Sequence, residues 1–296
     1  MAVRTLVVDD EATILESLSR IVTHAGYECL VARDAQEALD LLELHAIDVV
    51  ISDMRMPSID GMQLLEQIRA RHKEVDVIMM TGFDSRDIFS RVIEAGAADF
   101  IAKPFHQDEL LAKLKRIVRE RELKAELLYL SIHDGLTGLF NRRYLYQKLQ
   151  EEVERAKRQR RHLALIILDV DRFKDYNDSH GHLDGDQVLV TLGSIINSSI
   201  RQNVDTAYRY GGDEFAVLLI ETNLEQASKV AERIRSSFES KKIDNCTLSL
   251  GVAGLNVEKD GMEDLIKKAD EAMYRAKRGG GNQVEIFLCA KDPCSP

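Results

Sequence analysis

Between Arg4 and about Gln107, five short and continuously apolar runs alternate with amphipathic stretches of helical length, and this alternation restricts the fold more than any other feature of the chain. The runs are "TLVVDD", "YECLVAR", "DVVISDM", "VDVIMMTG" and "DFIAKP". A strand wetted on one face alternates apolar and polar residues. A run that is apolar throughout suits a parallel strand covered on both faces, and βα alternation of such runs predicts a doubly wound α/β sheet. Ligand chemistry in such sheets sits outside the carboxyl ends of the strands. Asp9 and Asp10 close the first run, Asp53 the third, Thr81 the fourth and Lys103 the fifth.

At 296 residues the chain is about twice the ~150-residue norm for one domain, so a second domain is expected. From Asp108 to about Ile132 neither Gly nor Pro occurs and charge is dense, which predicts one long helix between the domains. Its apolar residues form two stripes: Leu110, Leu111, Leu114, Ile117 and Val118, then Leu123, Leu127, Leu128 and Leu130. The charged "RERE" at Arg119–Glu122 separates them. Two readings stay open: each stripe packs on its own domain, or the helix forms a short coiled coil with interrupted register. After Asn141 the pattern is α+β. It comprises a helix to about Arg160, a strand at "HLALIILDV", a helix at Gln187–Ile200 and a hairpin around "RYGGDEFAVLLI". A helix at Leu224–Glu239, a strand at "TLSLGVAG", a helix at Met262–Lys277 and a last strand "QVEIFL" follow, with a disordered tail at 289–296.

Composition excludes several classes. Forty Lys and Arg against fifty Asp and Glu give a net charge of −10, the wrong sign for neutralising nucleic-acid phosphates. Runs such as Leu163–Leu168 fall far short of the ~20 apolar residues that span a bilayer, and "MAVRTLVVDD" enters a strand with no room for a signal peptide. The expectation is a cytoplasmic protein without membrane or nucleic-acid partners. Cys29, Cys246, Cys289 and Cys294 form no CxxC pair and read as ordinary thiols.

Carboxylates converging at strand ends repel one another unless a cation sits among them, and an all-oxygen site of modest size suits Mg²⁺. Transfer of a phosphoryl group to an Asp oxygen spreads charge that a metal, an ammonium and a hydroxyl stabilise, which gives Lys103 and Thr81 a use. A second acidic set lies downstream. Asp169 ends the strand in "LDVDRFKDYND", and Asp213–Glu214 follow Gly211–Gly212, read here as the positive-φ pair of a tight hairpin turn. Carboxylates on adjacent strand ends are the arrangement that holds two Mg²⁺ for attack of a hydroxyl on an α-phosphate.

From Val3 to about Leu114 the chain resembles the receiver domain of two-component response regulators, on Asp9–Asp10, "DMRMPSIDG", Thr81–Gly82 and "KPF". The resemblance implies a flavodoxin-like fold in which Asp53 accepts a phosphoryl group from a sensor histidine kinase. Asp9, Asp10, Asp53 and the Arg55 backbone carbonyl would hold Mg²⁺, Thr81 and Lys103 would contact the phosphoryl oxygens, and Phe100 would be the aromatic switch residue. It also implies a cis Lys103–Pro104 bond.

From Asp134 to about Leu288 the chain resembles the GGDEF family of diguanylate cyclases, on "DGLTGLFNRR", "DVDRFKDYNDSHGHLDGD", "GGDEF" and "ADEAMYRAK". That implies a nucleotide-cyclase-like fold with Mg²⁺ on Asp169, Asp213 and the Val170 carbonyl, and a second metal on Glu214. Asp213 would also accept the 3′-hydroxyl proton. Asn177 and Asp186 would read guanine, His182 would line that pocket, Lys174 would stabilise the phosphates or the transition state, and Lys277 would bind the outer phosphates. The implied reaction condenses two GTP into cyclic di-GMP and two pyrophosphates, and it needs a homodimer because each pocket holds one GTP. The resulting division is a receiver at 1–114, a helical linker at 115–133 and a cyclase at 134–288. Two alternatives remain: a non-catalytic signalling or GTP-binding scaffold, and a promiscuous cyclic dinucleotide synthase. Two departures bear on them. Gly281 stands where many members have a phosphate-binding Arg, and the family's inhibitory RxxD reads Gln202 to Asp205, with Arg201 one place early.

Overall fold

The computed structural model describes residues 3–82 and 86–288, with the backbone alone at 86–88. The expected tail at 289–296, with Cys289 and Cys294, lies outside the described residues. The chain divides into two compact units, Met1–Glu126 and Leu127–Pro296.

In the first unit β1 (Arg4–Val8), β2 (Glu28–Ala32), β3 (Val49–Asp53), β4 (Asp76–Thr81) and β5 (Asp99–Ala102) alternate with helices. These are α1 (Ala12–His24), α2 (Ala35–Leu44), α3 (Gly61–Arg71), α4 (Arg86–Glu94) and the first part of α5 (Gln107–Ile132). The strands form one parallel sheet in the order β2-β1-β3-β4-β5. The continuous apolar runs have the cause inferred for them, because side chains alternate faces and both faces are covered. Val50, Val77 and Met79 pack with Leu39, Leu64 and Ile68. Val49, Ile51, Ile78 and Met80 pack with Leu15, Leu18, Leu110 and Leu114. Asp34 caps α2, and Asp60 with Gln63 forms a capping box on α3, so both helices start on satisfied N–H groups.

Helix α5 is continuous over 26 residues, and its two stripes behave differently. Leu110, Leu114, Ile117 and Val118 are buried, whereas Leu127 and Leu130 are 68% and 56% exposed. The charged interval between them is more than a break. Arg121 donates to Asp48 at 3.0 Å, to Asp76 at 2.8 Å and to the Glu74 carbonyl, tying α5 to the amino ends of β3 and β4.

The second unit has β6 (Phe140–Asn141), α6 (Arg142–Gln159), β7 (Leu163–Asp171), α7 (Phe173–His180), α8 (His182–Ser199), β8 (Thr206–Arg209), β9 (Glu214–Ile220), α9 (Leu224–Glu239), β10 (Thr247–Gly254), α10 (Met262–Arg278) and β11 (Gln283–Ile286). Its mixed sheet runs β11-β10-β7-β9-β8-β6. Central β7 pairs antiparallel with β9 and β10. It sends Ala164, Ile166 and Leu168 to one core with Leu192, Ile196 and Ile234, and Leu165 and Ile167 to another with Leu149, Val153 and Leu265. One expectation is corrected here. The helix foreseen at Gln187–Ile200 begins at His182 and ends at Ser199, and a separate helix, α7, precedes it across Gly181. Helix α7 buries no residue completely, so no apolar periodicity announced it. Among the described residues no helix is long and apolar enough to cross a membrane.

Candidate functional site

Each unit presents chemistry at strand ends. In the first, Asp9, Asp10 and Asp53 offer carboxylate oxygens that all lie within 4.8 Å of one another. Parallel β1 and β3 are neighbours, so their carboxyl ends bring these residues together. Lys103, just past β5, places Nζ 2.9 Å from Asp9 and 3.0 Å from Asp53. Burial alone would lower the Lys103 ammonium, and its hydrogen bonds to Asp9 and Asp53 outweigh that and leave its pKa raised. Burial pushes the Asp53 carboxyl up, against the opposing pull of Lys103. Thr81 is fully buried at the end of β4, and its carbonyl accepts from the Lys103 N–H at 2.6 Å. The Lys103–Pro104 bond is cis. Half-buried Phe100 stacks on Phe89 with centroids 4.1 Å apart. The donor set is all oxygen and compact, which fits a small divalent cation of the Mg²⁺ kind.

In the second unit, Asp169 near the end of β7 is the register partner of Glu214 at the start of β9, and the Val170 N–H donates to the Asp213 carbonyl at 3.3 Å. Antiparallel pairing thus brings Asp169, Val170, Asp213 and Glu214 to one edge despite their separation in sequence. Burial pushes the Asp169 carboxyl up to about 6, Lys277 at 2.7 Å opposes the shift, and Asp213 and Glu214 add to it. Among the described residues, only the first unit gathers three such groups within 4.8 Å. The chemistry of the second set, carboxylates plus a backbone carbonyl on adjacent strand ends, suits hard cations equally well.

A cavity of about 460 Å³ adjoins this edge, lined by Lys174, Asn177, His182, Asp186 and Asp213, with Arg209 and Gly212. Five residues singled out in the sequence therefore share one space. Lys277 lies apart from its lining and spends its ammonium on Asp169.

One expectation needs correction. Neither Gly211 nor Gly212 has positive φ. Their use is room: a Cβ on Gly211 would come 2.8 Å from Glu214 Oε2, and Gly212 faces open space. Arg201, one place early for the RxxD pattern, is engaged within the fold. It lies before a turn, where its guanidinium donates to both oxygens of buried Asp205, to the Ile220 carbonyl and to Thr222 Oγ1. Gln202 donates to the Asn197 carbonyl.

Sequence reasoning missed two groups. Arg209 donates to both oxygens of Asp134 at 3.2 Å and to the Gly212 carbonyl at 3.1 and 2.8 Å, bracing the hairpin turn. Asp134 also accepts from Thr137. Burial would raise the Asp134 carboxyl, and its Thr137 and Arg209 partners outweigh this and hold it below the usual range. Asp134 opens one recognised motif and Arg209 stands two residues before another, and only the fold shows that they meet. The other group is Asp171, which accepts from Thr247, Ser249 and the Asn282 N–H. Gly281 fits against it with φ +77, and a Cβ there would lie 2.9 Å from Asp171 Oδ2. A side chain at 281 would therefore strain the backbone there and press on the Asp171 carboxylate. Arg278 lies with its guanidinium 5.9 Å from the Tyr274 ring.

Comparison with known proteins matches both halves. Residues 131–283 fit the family described as diguanylate cyclase, GGDEF domain, and residues 5–115 fit the response regulator receiver domain. The chain is 32% identical over 300 residues to the response regulator PleD of Caulobacter vibrioides, covering 95% of this chain and 65% of PleD. It is 37% identical over 171 residues to diguanylate cyclase A of Treponema denticola, covering 55% of this chain and 46% of that protein. The chain thus spans less than two thirds of the length of these relatives. Among solved structures it is similar to the coiled coil and GGDEF domain of DgcB from Caulobacter crescentus in complex with c-di-GMP. That match has a TM-score of 0.56 and 29% identity, over 61% of this chain and 98% of that one.

Proposed function

The chain belongs to the GGDEF family of diguanylate cyclases, with a response regulator receiver domain ahead of the cyclase domain, and on that premise we propose that it is a phosphorylation-regulated diguanylate cyclase. Two GTP would be condensed into cyclic di-GMP and two pyrophosphates. The observation that carries the reading is the single cavity that joins Lys174, Asn177, His182 and Asp186 to Asp213.

Asp186 supplies a carboxylate acceptor for guanine N1–H and N2–H₂, donors that adenine lacks in that arrangement. Asn177 and His182 complete the base pocket. Lys174 neutralises phosphate charge, and Lys277 is drawn to the outer phosphates from its resting place on Asp169. Asp213 takes the proton of the 3′-hydroxyl. Asp169, the Val170 carbonyl, Asp213 and Glu214 are the residues that would hold Mg²⁺ here, and Asp9, Asp10, Asp53 and the Arg55 carbonyl those in the receiver. When bound, the metal supplies charge neutralisation at the phosphates and lowers the barrier to nucleophilic attack.

One cavity serves one GTP, so two cyclase domains must face each other across a two-fold axis for each hydroxyl to reach the other's α-phosphate. The exposed leucines of α5 are the surface that brings two chains together, and phosphorylation of Asp53 by a sensor histidine kinase changes that pairing. Chromatography of reactions with GTP and Mg²⁺, with and without a small-molecule phosphodonor, tests the reading. Cyclic di-GMP formation that changes with the donor is expected, and no product from a folded, dimeric protein would leave the scaffold alternative. Mixed products from GTP with ATP would favour the promiscuous synthase.

A further inference from the structure

We propose that Gly185 is a specificity-determining positioning residue, which sets the orientation of the Asn177 carboxamide and so decides which purine edge the cavity accepts. The proposal rests on the assignment of this cavity to the base.

Helices α7 and α8 meet at Gly181, whose N–H donates to the Asn177 carbonyl at 2.8 Å while the Gly185 N–H donates to the Gly181 carbonyl at 3.2 Å. This tight crossing sets the Asn177 side chain directly against the backbone of Gly185, which is buried. A Cβ at 185 would fall 1.8 Å from Asn177 Oδ1 and 2.9 Å from its Cγ. A side chain at 185 would therefore force the Asn177 carboxamide out of its present orientation.

Asn177 Oδ1 is buried there without a hydrogen-bond partner. An orphaned buried acceptor is costly and persists where something else is served. The opposite amide orientation would bury two N–H donors in the same place, so oxygen inward is the less costly choice. It turns Nδ2 toward the cavity that Asn177 lines together with Asp186. A donor beside a carboxylate acceptor matches an edge that presents an acceptor beside donors. Guanine has this edge at O6, N1–H and N2–H₂, whereas adenine presents a donor at N6 and an acceptor at N1. Glycine at 185 thus leaves Asn177 no role except to point its donors at the base.

The test is a double-mutant cycle on the full chain, titrating the α,β-methylene analogues of GTP and ATP with Mg²⁺ by calorimetry and following thermal unfolding. Gly185→Ala should weaken the guanine analogue about ten-fold and reduce its preference over the adenine analogue, as should Asn177→Ala. The double variant should bind no more weakly than Asn177→Ala alone, because an alanine at 177 removes the two closest contacts of the new methyl group and leaves the Phe173 ring edge at 3.3 Å, which a small ring shift relieves. Any loss of thermal midpoint or of folding in Gly185→Ala should likewise be restored in the double variant. Losses that multiply, an unaltered Gly185→Ala, or a double variant that fails to recover would overturn the role of Gly185 alone. Asn177→Ala that binds the guanine analogue as tightly as wild type would overturn the base-site assignment, and this proposal with it.

Discussion

Both halves of the chain set three carboxylates at strand ends with one lysine against them, yet the two sets are arranged differently. In the receiver, Asp9, Asp10 and Asp53 already converge within 4.8 Å, and Lys103 bridges two of them. In the cyclase half, Lys277 touches Asp169 alone, and Asp213 and Glu214 stand along the neighbouring strand without closing into one cluster. Sheet type accounts for much of this. Adjacent parallel strands end at the same level and aim their last residues into one crevice. Antiparallel β7 and β9 meet end against beginning, which sets Asp169 opposite Glu214 beside a cavity. The receiver site is compact enough for one phosphoryl group, and the cyclase edge has space for a nucleotide. Under the proposed function the compact site would serve as the switch and the open edge as a catalytic centre that pairing with a second copy completes.

The largest effect should come from the open site. Asp213→Asn keeps the size of the side chain and removes the charge, so cyclic di-GMP formation should fall ~10²-fold or more with little change in thermal stability. Retention of more than about a tenth of wild-type turnover would break the comparison at its catalytic end. Asp53→Ala acts on the compact site. It removes the carboxylate that Lys103 holds at 3.0 Å, and donor-dependent changes in activity and oligomeric state should both disappear. A variant that still responds to the donor would move the switch out of the receiver cluster.

The receiver half was legible in the sequence because its site residues stand at or just past the carboxyl ends of their own strands, and the βα pattern alone placed them on one edge. In the cyclase half, motif spacing named the groups, and the fold was needed to show that Lys174, Asn177 and Asp186 share a cavity with Asp213. Helix α7 was illegible because it buries nothing completely, so no periodicity marked it. Arg121 read as part of a charged interval between two apolar stripes because its partners, Asp48 and Asp76, lie at or just before the start of distant strands. Gly281, which stands where many members have a phosphate-binding Arg, also fits against Asp171, a contact that no spacing rule reveals.

A smaller effect sharpens the contrast on the cyclase side. Asp134 has a depressed pKa because its Thr137 and Arg209 partners outweigh burial. A carboxyl with a native pKa below its unfolded value of ~3.9 stabilises the fold above that value, and the stabilisation is lost as pH falls through the native pKa. Asp134→Asn keeps an acceptor for Thr137 and loses the ion pair with Arg209, at a cost of roughly 1 kcal/mol near neutral pH. The stability gap between wild type and variant should narrow below about pH 4. Thermal unfolding across pH 3–7 measures it, and a gap that widens on acidification would reverse the assigned sign.

The smallest expected effect is an inhibition that should be nearly absent. At the degenerate RxxD position Gln202 is uncharged and donates to the Asn197 carbonyl, so it offers no guanidinium fork for the product's phosphates or guanine edges. Arg201 cannot replace it cheaply. Its guanidinium already pairs with both oxygens of Asp205, which is 6% exposed, and release would leave a buried carboxylate without its cation. Asp205 is in turn held by the Ile220 N–H, so the carboxylate of the motif belongs to the turn before β8 and is not free to bind product. Initial rates should therefore change less than about two-fold as micromolar cyclic di-GMP is added. Gln202→Arg should introduce at most modest inhibition, because the Asp half of the motif stays engaged with Arg201. Strong inhibition of wild type that vanishes in Arg201→Ala would show that this ion pair opens for product, and that the cyclase half holds a second switch.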